Sequence, residues 1–291
     1  MSYRIEKNEL LSDAFGRIAA EEIAQALAQL QHPNRPEAMH NTRKSLKRLR
    51  ALLRSLRVAL PRDLFHRENR RLAEAGRKIA PLRDIHVQLR ALGKLRKNGG
   101  SAAKETRQSL RLRQDYYLRK MPALHRAVRQ MLSASWQNLT SWPMQKATPE
   151  RLAAGLKRIY KRSRAAWKTA RKQETAENLH EWRKQAKMLW YGLALIERLA
   201  PKKAATMIRH TENICDALGD DHDLYLVLQA LRQEDAAHPA RDYKRLAKRI
   251  AAKRAGLQKQ AFQLGKETFE VKPGAFAHRV EDWIGRHNST R

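Results

Sequence analysis

Apolar residues recur along this chain at every third or fourth position, the spacing of an α-helix that buries one face. That period predicts helices over roughly 8–30, 36–60, 62–80, 84–97, 102–133, 150–173, 176–199, 202–217, 223–237 and 241–265, with a shorter one after Pro273. Pro and Gly punctuate the breaks in "HPNRP", "KNGG", "HPAR" and "VKPG". Ala, Leu, Arg, Lys, Glu and Gln, all good helix formers, dominate, and no strand pattern is evident. The expected fold class is all-α.

The stretch from His40 to Leu60 shows what such a helix carries. On a helical wheel Leu46, Leu49, Leu53, Leu56 and Leu60 collect on one face, while His40, Arg43, Lys44, Lys47, Arg50 and Arg54 lie on the opposite one. Like charges at this spacing repel by a few tenths of a kcal/mol per pair, and nothing within the helix offsets them. In an isolated amphipathic helix such a row serves solvation.

A second copy argues for more than solvation. "MHNTRKSLKRLRALLRSLRVALP" from Met39 matches "LHEWRKQAKMLWYGLALIERLAP" from Leu179, pairing His40 with His180, Arg43 with Arg183, Lys44 with Lys184 and Lys47 with Lys187. "IAPLRDIHVQLRAL" from Ile79 matches "LGDDHDLYLVLQAL" from Leu218, with Asp84 on Asp223. Two pseudo-symmetric bundles, duplicated four-helix-type units, follow: residues 1–135 and 150–291, joined by a turn-rich linker at 136–149. Their basic faces are expected to meet at a central cleft or channel.

Charge sharpens the expectation about partners. The 291 residues hold 61 Lys and Arg against 29 Asp and Glu, a formal net charge of +32 at pH 7. Self-repulsion on that scale points to a polyanionic partner, and a basic ribosomal-type or nucleic-acid-binding protein is the default reading. Aromatic residues make up only 6%, and no RNP-like motif interleaves aromatic and basic residues, which counts against base readout. Cys215 stands alone, "MSYRIEKNELLSDAF" lacks a signal peptide's apolar core, and no eighteen apolar residues run together. A cytoplasmic protein without a membrane span is expected.

Catalytic signatures are missing: there is no phosphate-binding G-x-x-x-x-G-K-[ST] loop, no H-E-x-x-H and no nucleophile elbow, and "HEWRK" fails as a zinc motif at Lys184. "LGDDHDL" invites a metal reading around His222, but acids at a helix start are commoner, and Asp84 and Asp223 are expected to cap helices or hold an arginine such as Arg83 or Arg77. His40 and His180 as phosphoacceptors or metal ligands find no carboxylate at ligand spacing. The six tryptophans are expected in the core or between bundles. The segment "RDYKRLAKRIAAKRAGLQKQ" turns Leu246, Ile250 and Leu257 inward.

The two His-led motifs resemble the CHAD family, the conserved histidine α-helical domain, through "HNTRKSLKRLR" at 40–50, "RDIHV" at 83–87, "LHEWRKQAKMLWYGL" at 179–193 and "LGDDHD" at 218–223. The resemblance covers nearly the whole chain. It implies two four-helix-type bundles around a basic channel that binds inorganic polyphosphate without turnover, with association to polyphosphate granules in some members and no cofactor or metal. By that carry-over His40, Arg43, Lys44, Lys47, Arg48, Arg50, His180, Arg183, Lys184 and Lys187 are the phosphate ligands, and Arg54 joins them from the helical wheel. His86 stands where the family pattern often has a second Asp, and Met188 and Trp190 stand opposite Arg48 and Arg50, so the second row is the less basic. The competing expectation is a nonspecific RNA- or DNA-binding protein; nucleic acid otherwise figures as the weaker competitor.

Overall fold

The computed structural model describes residues 3–31, 36–94, 100–200, 202–237 and 242–288, and among these no strand occurs. Ten α-helices follow in order: α1 (Leu11–Gln29), α2 (Pro36–Ser55), α3 (Arg62–Lys78), α4 (Ala80–Lys94), α5 (Gly100–Gln137), α6 (Pro149–Lys172), α7 (Ala176–Leu195), α8 (Lys202–Ala237), α9 (Tyr243–Thr268) and α10 (Pro273–Asn288). Thr148 caps α6 by accepting from the Arg151 amide, with Pro149 at the first helical position, and Thr175 caps α7 by accepting from the Asn178 amide.

The leucine face of α2 behaves as its spacing predicts. Leu46, Leu49 and Leu53 are buried on it, and Leu56 and Leu60 are buried in the turn that follows, since the helix expected over 36–60 ends at Ser55. Each contributes about 1.5–3 kcal/mol, so together they outweigh the few tenths of a kcal/mol of repulsion per pair on the opposite face. These leucines join a continuous apolar cluster that runs from Tyr3 to Ile284 and includes Leu189 and Leu193 of α7. The helix α2 packs on α1, α3, α6 and α7. At its end Gly155 of α6 lies so close that a Cβ there would sit 1.8 Å from the Ser55 carbonyl oxygen. A second cluster, with Ile85, Leu92, Leu110, Val227, Leu231 and Ile250 among its members, joins α4, the start of α5, the later half of α8 and α9. Glu68 of α3, fully buried, accepts from Arg71 and from the Ser135 hydroxyl, tying α3 to α5.

The bounds of the helices echo the sequence repeat. Both α2 and α7 have 20 residues, and their starts at 36 and 176 and ends at 55 and 195 share one separation of 140. The start of α8 at 202 follows that of α3 at 62 by the same interval.

Two expectations need correction. The helices expected at 202–217 and 223–237 are one continuous helix, α8. "GDD" reads as a break, yet the buried positions Ile214, Leu218, Asp221, Leu224, Leu228 and Leu231 run through it at helical spacing. Asp221 is supported from α9 by Arg254 at 2.9 Å and Gln258 at 2.7 Å, so tertiary contacts override the local propensity. Asp223 therefore stands in mid-helix and caps nothing. Residues 136–149, expected as a turn-rich linker, begin inside α5 and then form two 3-10 turns, Leu139–Ser141 and Met144–Lys146, with Trp142 in the main core. The helix α9 buries Leu246 and Ile250 as expected, with Leu257 partly covered. Residues 95–97, expected at the end of α4, lie outside the described residues.

Candidate anion-binding site

With the leucine face of α2 buried, α2 and α7 pack against each other. Lys47 of α2 is within electrostatic reach of Arg43 on its own helix, of Arg183 and Lys187 on α7, and of Arg83 on α4. Lys44 senses Arg48 and Lys187, and Arg43 senses Arg83 and Arg183. The repeated motifs thus bring Arg43, Lys44, Lys47, Arg183 and Lys187 together, with Arg83 as a further member.

Desolvation and mutual repulsion leave their mark on these groups. Burial first, and then Arg43, Arg183, Arg83 and Lys187, push the Lys47 ammonium down to about 7. Burial also lowers Arg43 and Arg183, against the pull of Asp84 on the first and of Asp223 on the second. Arg54 falls to about 10 through burial and then Arg50 and Arg162, and its Nε is buried without a hydrogen-bond partner.

Ion pairing divides the predicted residues into two groups. Among the described residues, Arg43, Lys44, Lys47, Arg50, Arg54, Arg183 and Lys187 have no carboxylate within the 4.0 Å of a salt bridge. Arg43 donates to the Gly76 carbonyl at 2.8 Å, and Arg50 donates to the Asn69 side chain at 3.2 Å. Two predicted ligands are already neutralised. Arg48 pairs with Glu22 of α1 at 2.7 Å, and exposed Lys184 pairs with Glu181 at 2.5 Å. They belong to the edges of the charge cluster, not to its unpaired centre.

The histidines take different places. His40 is exposed at the start of α2, lowered by partial desolvation and then by Arg83, Lys47, Lys44 and Arg90. His180 packs at a tilt against His222 of α8, with 4.3 Å between ring centroids, and its Nδ1 is buried without a partner. Burial and then Arg183, His180, Arg83 and Arg254 hold His222 at about 3, so this imidazole is neutral.

Arg83 is the residue that the motif reading undervalued. It donates to Asp84 at 3.1 Å and lies 3.8 Å from Asp223 of α8, which bears out the arginine-holding half of the expectation for those acids. It is the bridge through which α4 and α8 frame the crossing. The signal was its place beside Asp84 in the repeated element. Arg162 of α6 extends the cluster toward Arg54 and carried no signal, because it lies outside both motifs. The acids of "LGDDHD" diverge, Asp221 toward α9 and Asp223 toward α4, and no group of three metal-ligating side chains occurs among the described residues.

The protein is all-helical among its described residues, and its two histidine-led basic helices, α2 and α7, pack against each other. Residues 9–232 match the family model of the CHAD domain, and the chain belongs to that family. The crystal structure of the CHAD domain from the plant Ricinus communis is similar to this one with a TM-score of 0.58, over 96% of this chain and 94% of that chain, at 18% identity. At that identity the likeness bears on the fold. No curated protein matches the chain in sequence. No helix among the described residues is long and apolar enough to cross a membrane.

Proposed function

We propose that this protein binds long-chain inorganic polyphosphate at the crossing of α2 and α7 and does not turn it over. The observation that carries this reading is the set of unpaired cations on the two repeated helices. Seven predicted ligands have no carboxylate within 4.0 Å among the described residues. Bringing like charges into a partly desolvated space opposes folding unless an anion joins them.

A linear polyanion fits better than a single phosphate, because the cations run along α2 from Arg43 and Lys44 through Lys47 to Arg50 and Arg54, with Arg183 and Lys187 of α7 beside Lys47. Arg supplies a planar fork and Lys a mobile point charge, both suited to phosphate oxygens. Polyphosphate has no bases, so it needs no stacking platform along the row. The duplicated halves, 1–135 and 150–291, each supply one row to a shared channel in this reading. On this reading the protein acts in the cytoplasm, at polyphosphate granules where these form.

Competition tests the proposal against nonspecific nucleic-acid binding. Polyphosphate should displace a labelled RNA, while excess RNA of equal charge should fail to displace polyphosphate. Release of phosphate on incubation with Mg²⁺ would show turnover and refute the non-catalytic part.

A further inference from the structure

Beside the cation crossing lies a pocket of about 420 Å³, lined by Tyr3, Arg48, Trp190, Tyr191, Ile208 and Glu212, among others; of these only Arg48 was a predicted phosphate ligand, and Glu22 already pairs with it. Its size lies within the range of small-molecule sites, which combine aromatic walls with a few polar groups. The walls are aromatic. Trp190 and Tyr191 lie 4.8 Å apart, and Tyr3 meets Tyr191 edge-on at 5.9 Å. Trp190 is only partly buried, unlike the fully enclosed Trp182 of the same helix.

The polar groups of the pocket differ in what remains for a ligand. Arg48 is taken by Glu22 and lies 5.0 Å from the Tyr3 ring centre, while Arg4 pairs with Glu197 at 2.8 Å. Glu212 of α8 has no ion pair among the described residues and is exposed at the pocket. An organic cation would meet like charge at the rings, with Lys187 over one face of Trp190 at 3.9 Å from its centre and Arg48 over Tyr3. A neutral planar heterocycle has no such repulsion, and its N–H groups suit a free carboxylate.

Lys187 also joins the pocket to the crossing, because the ammonium above Trp190 is within reach of Lys44 and Lys47. We propose that the pocket takes the base of a purine nucleoside polyphosphate against Trp190, its N–H edge toward Glu212, with the phosphates running over Lys187 to Lys44 and Lys47. This rests on the reading of the crossing as a phosphate site and adds a base-specific subsite at its edge.

Calorimetric titration of the full chain separates the two ideas. The probes are guanosine triphosphate, whose N1–H and 2-amino group both donate to a carboxylate, inorganic tripolyphosphate and long-chain polyphosphate. Guanosine triphosphate is expected to bind at least tenfold more tightly than tripolyphosphate, although it carries no more charge. Trp190→Leu and, independently, Glu212→Gln should each erase most of that advantage and leave tripolyphosphate and long polyphosphate unchanged. Equal binding of nucleotide and tripolyphosphate by the unaltered protein overturns the subsite while the phosphate reading stands. Failure of all three ligands to bind overturns both.

Discussion

Lys47→Met removes one charge from the crossing and keeps the length of the side chain, and its effects on stability and on binding should have opposite signs. Lys47 is lowered from the ordinary 10.5 to about 7, so the protonated amine is held in the folded protein against its preference. That difference corresponds to at most about 5 kcal/mol, at 1.36 kcal/mol for each factor of ten in proton affinity. Relaxation of water and neighbouring side chains around the charge reduces the effective figure to about 1–3 kcal/mol. Because the folded value lies below the unfolded one, the penalty is complete below pH 7 and fades as pH rises toward 10.5. Urea unfolding of the ligand-free protein at pH 6 should therefore show Lys47→Met more stable by about 1–3 kcal/mol, and the gain should shrink at pH 9. The same variant should bind polyphosphate about 10- to 100-fold more weakly, as expected for loss of one charge-assisted contact of about 1.5–3 kcal/mol. A variant that is less stable at pH 6, or whose gain does not change with pH, refutes the argument that Lys47 is held charged under strain.

Three further outcomes follow from other parts of the structure. Gly155→Ala drives a methyl group into the Ser55 carbonyl, 1.8 Å from its oxygen, and should lower stability by about 3 kcal/mol or more in urea, because backbone meets backbone there. Arg71→Ala leaves the buried Glu68 carboxylate without its closest cation and should destabilise by about 3–5 kcal/mol, whereas Arg71→Ala with Glu68→Gln should recover much of that loss. His40, His180 and Lys47 all lie below their ordinary values in the empty protein; a bound polyanion raises them, so binding should take up protons. Calorimetry at pH 7.5 in two buffers of different ionisation enthalpy measures that uptake, and affinity should fall as pH rises from 7 to 9.

The parts of this protein that could be read in advance are those where one helix face decides its own fate. Leu46, Leu49 and Leu53 of α2 needed only their spacing, and the 140-residue repeat of "HNTRK" and "HEWRK" reappears as two helices of equal length. What escaped the sequence depends on partners far along the chain. Arg48 looked like one more cation of the row, but Glu22 on α1 neutralises it, and no periodicity within 40–57 could pair the two. The break expected at Gly219–Asp221 disappeared because Arg254 and Gln258, more than thirty residues later, support Asp221 inside a helix. Trp136, expected in a core or an interface, is instead exposed on α5, whereas Trp190 packs against the core as expected and also walls a pocket where α2, α7 and α8 meet the amino-terminal segment.

Whether the two basic rows serve one polymer segment is decided most directly by calorimetric stoichiometry with long-chain polyphosphate. The comparison sets the protein against Arg43→Gln/Lys44→Gln/Lys47→Gln on α2 and Arg183→Gln/Lys187→Gln on α7, with helicity checked by circular dichroism. If both rows grip the same stretch of anion, either variant loses most of the affinity. If either variant keeps the original affinity at half the number of sites, the rows bind separately and the shared crossing is wrong.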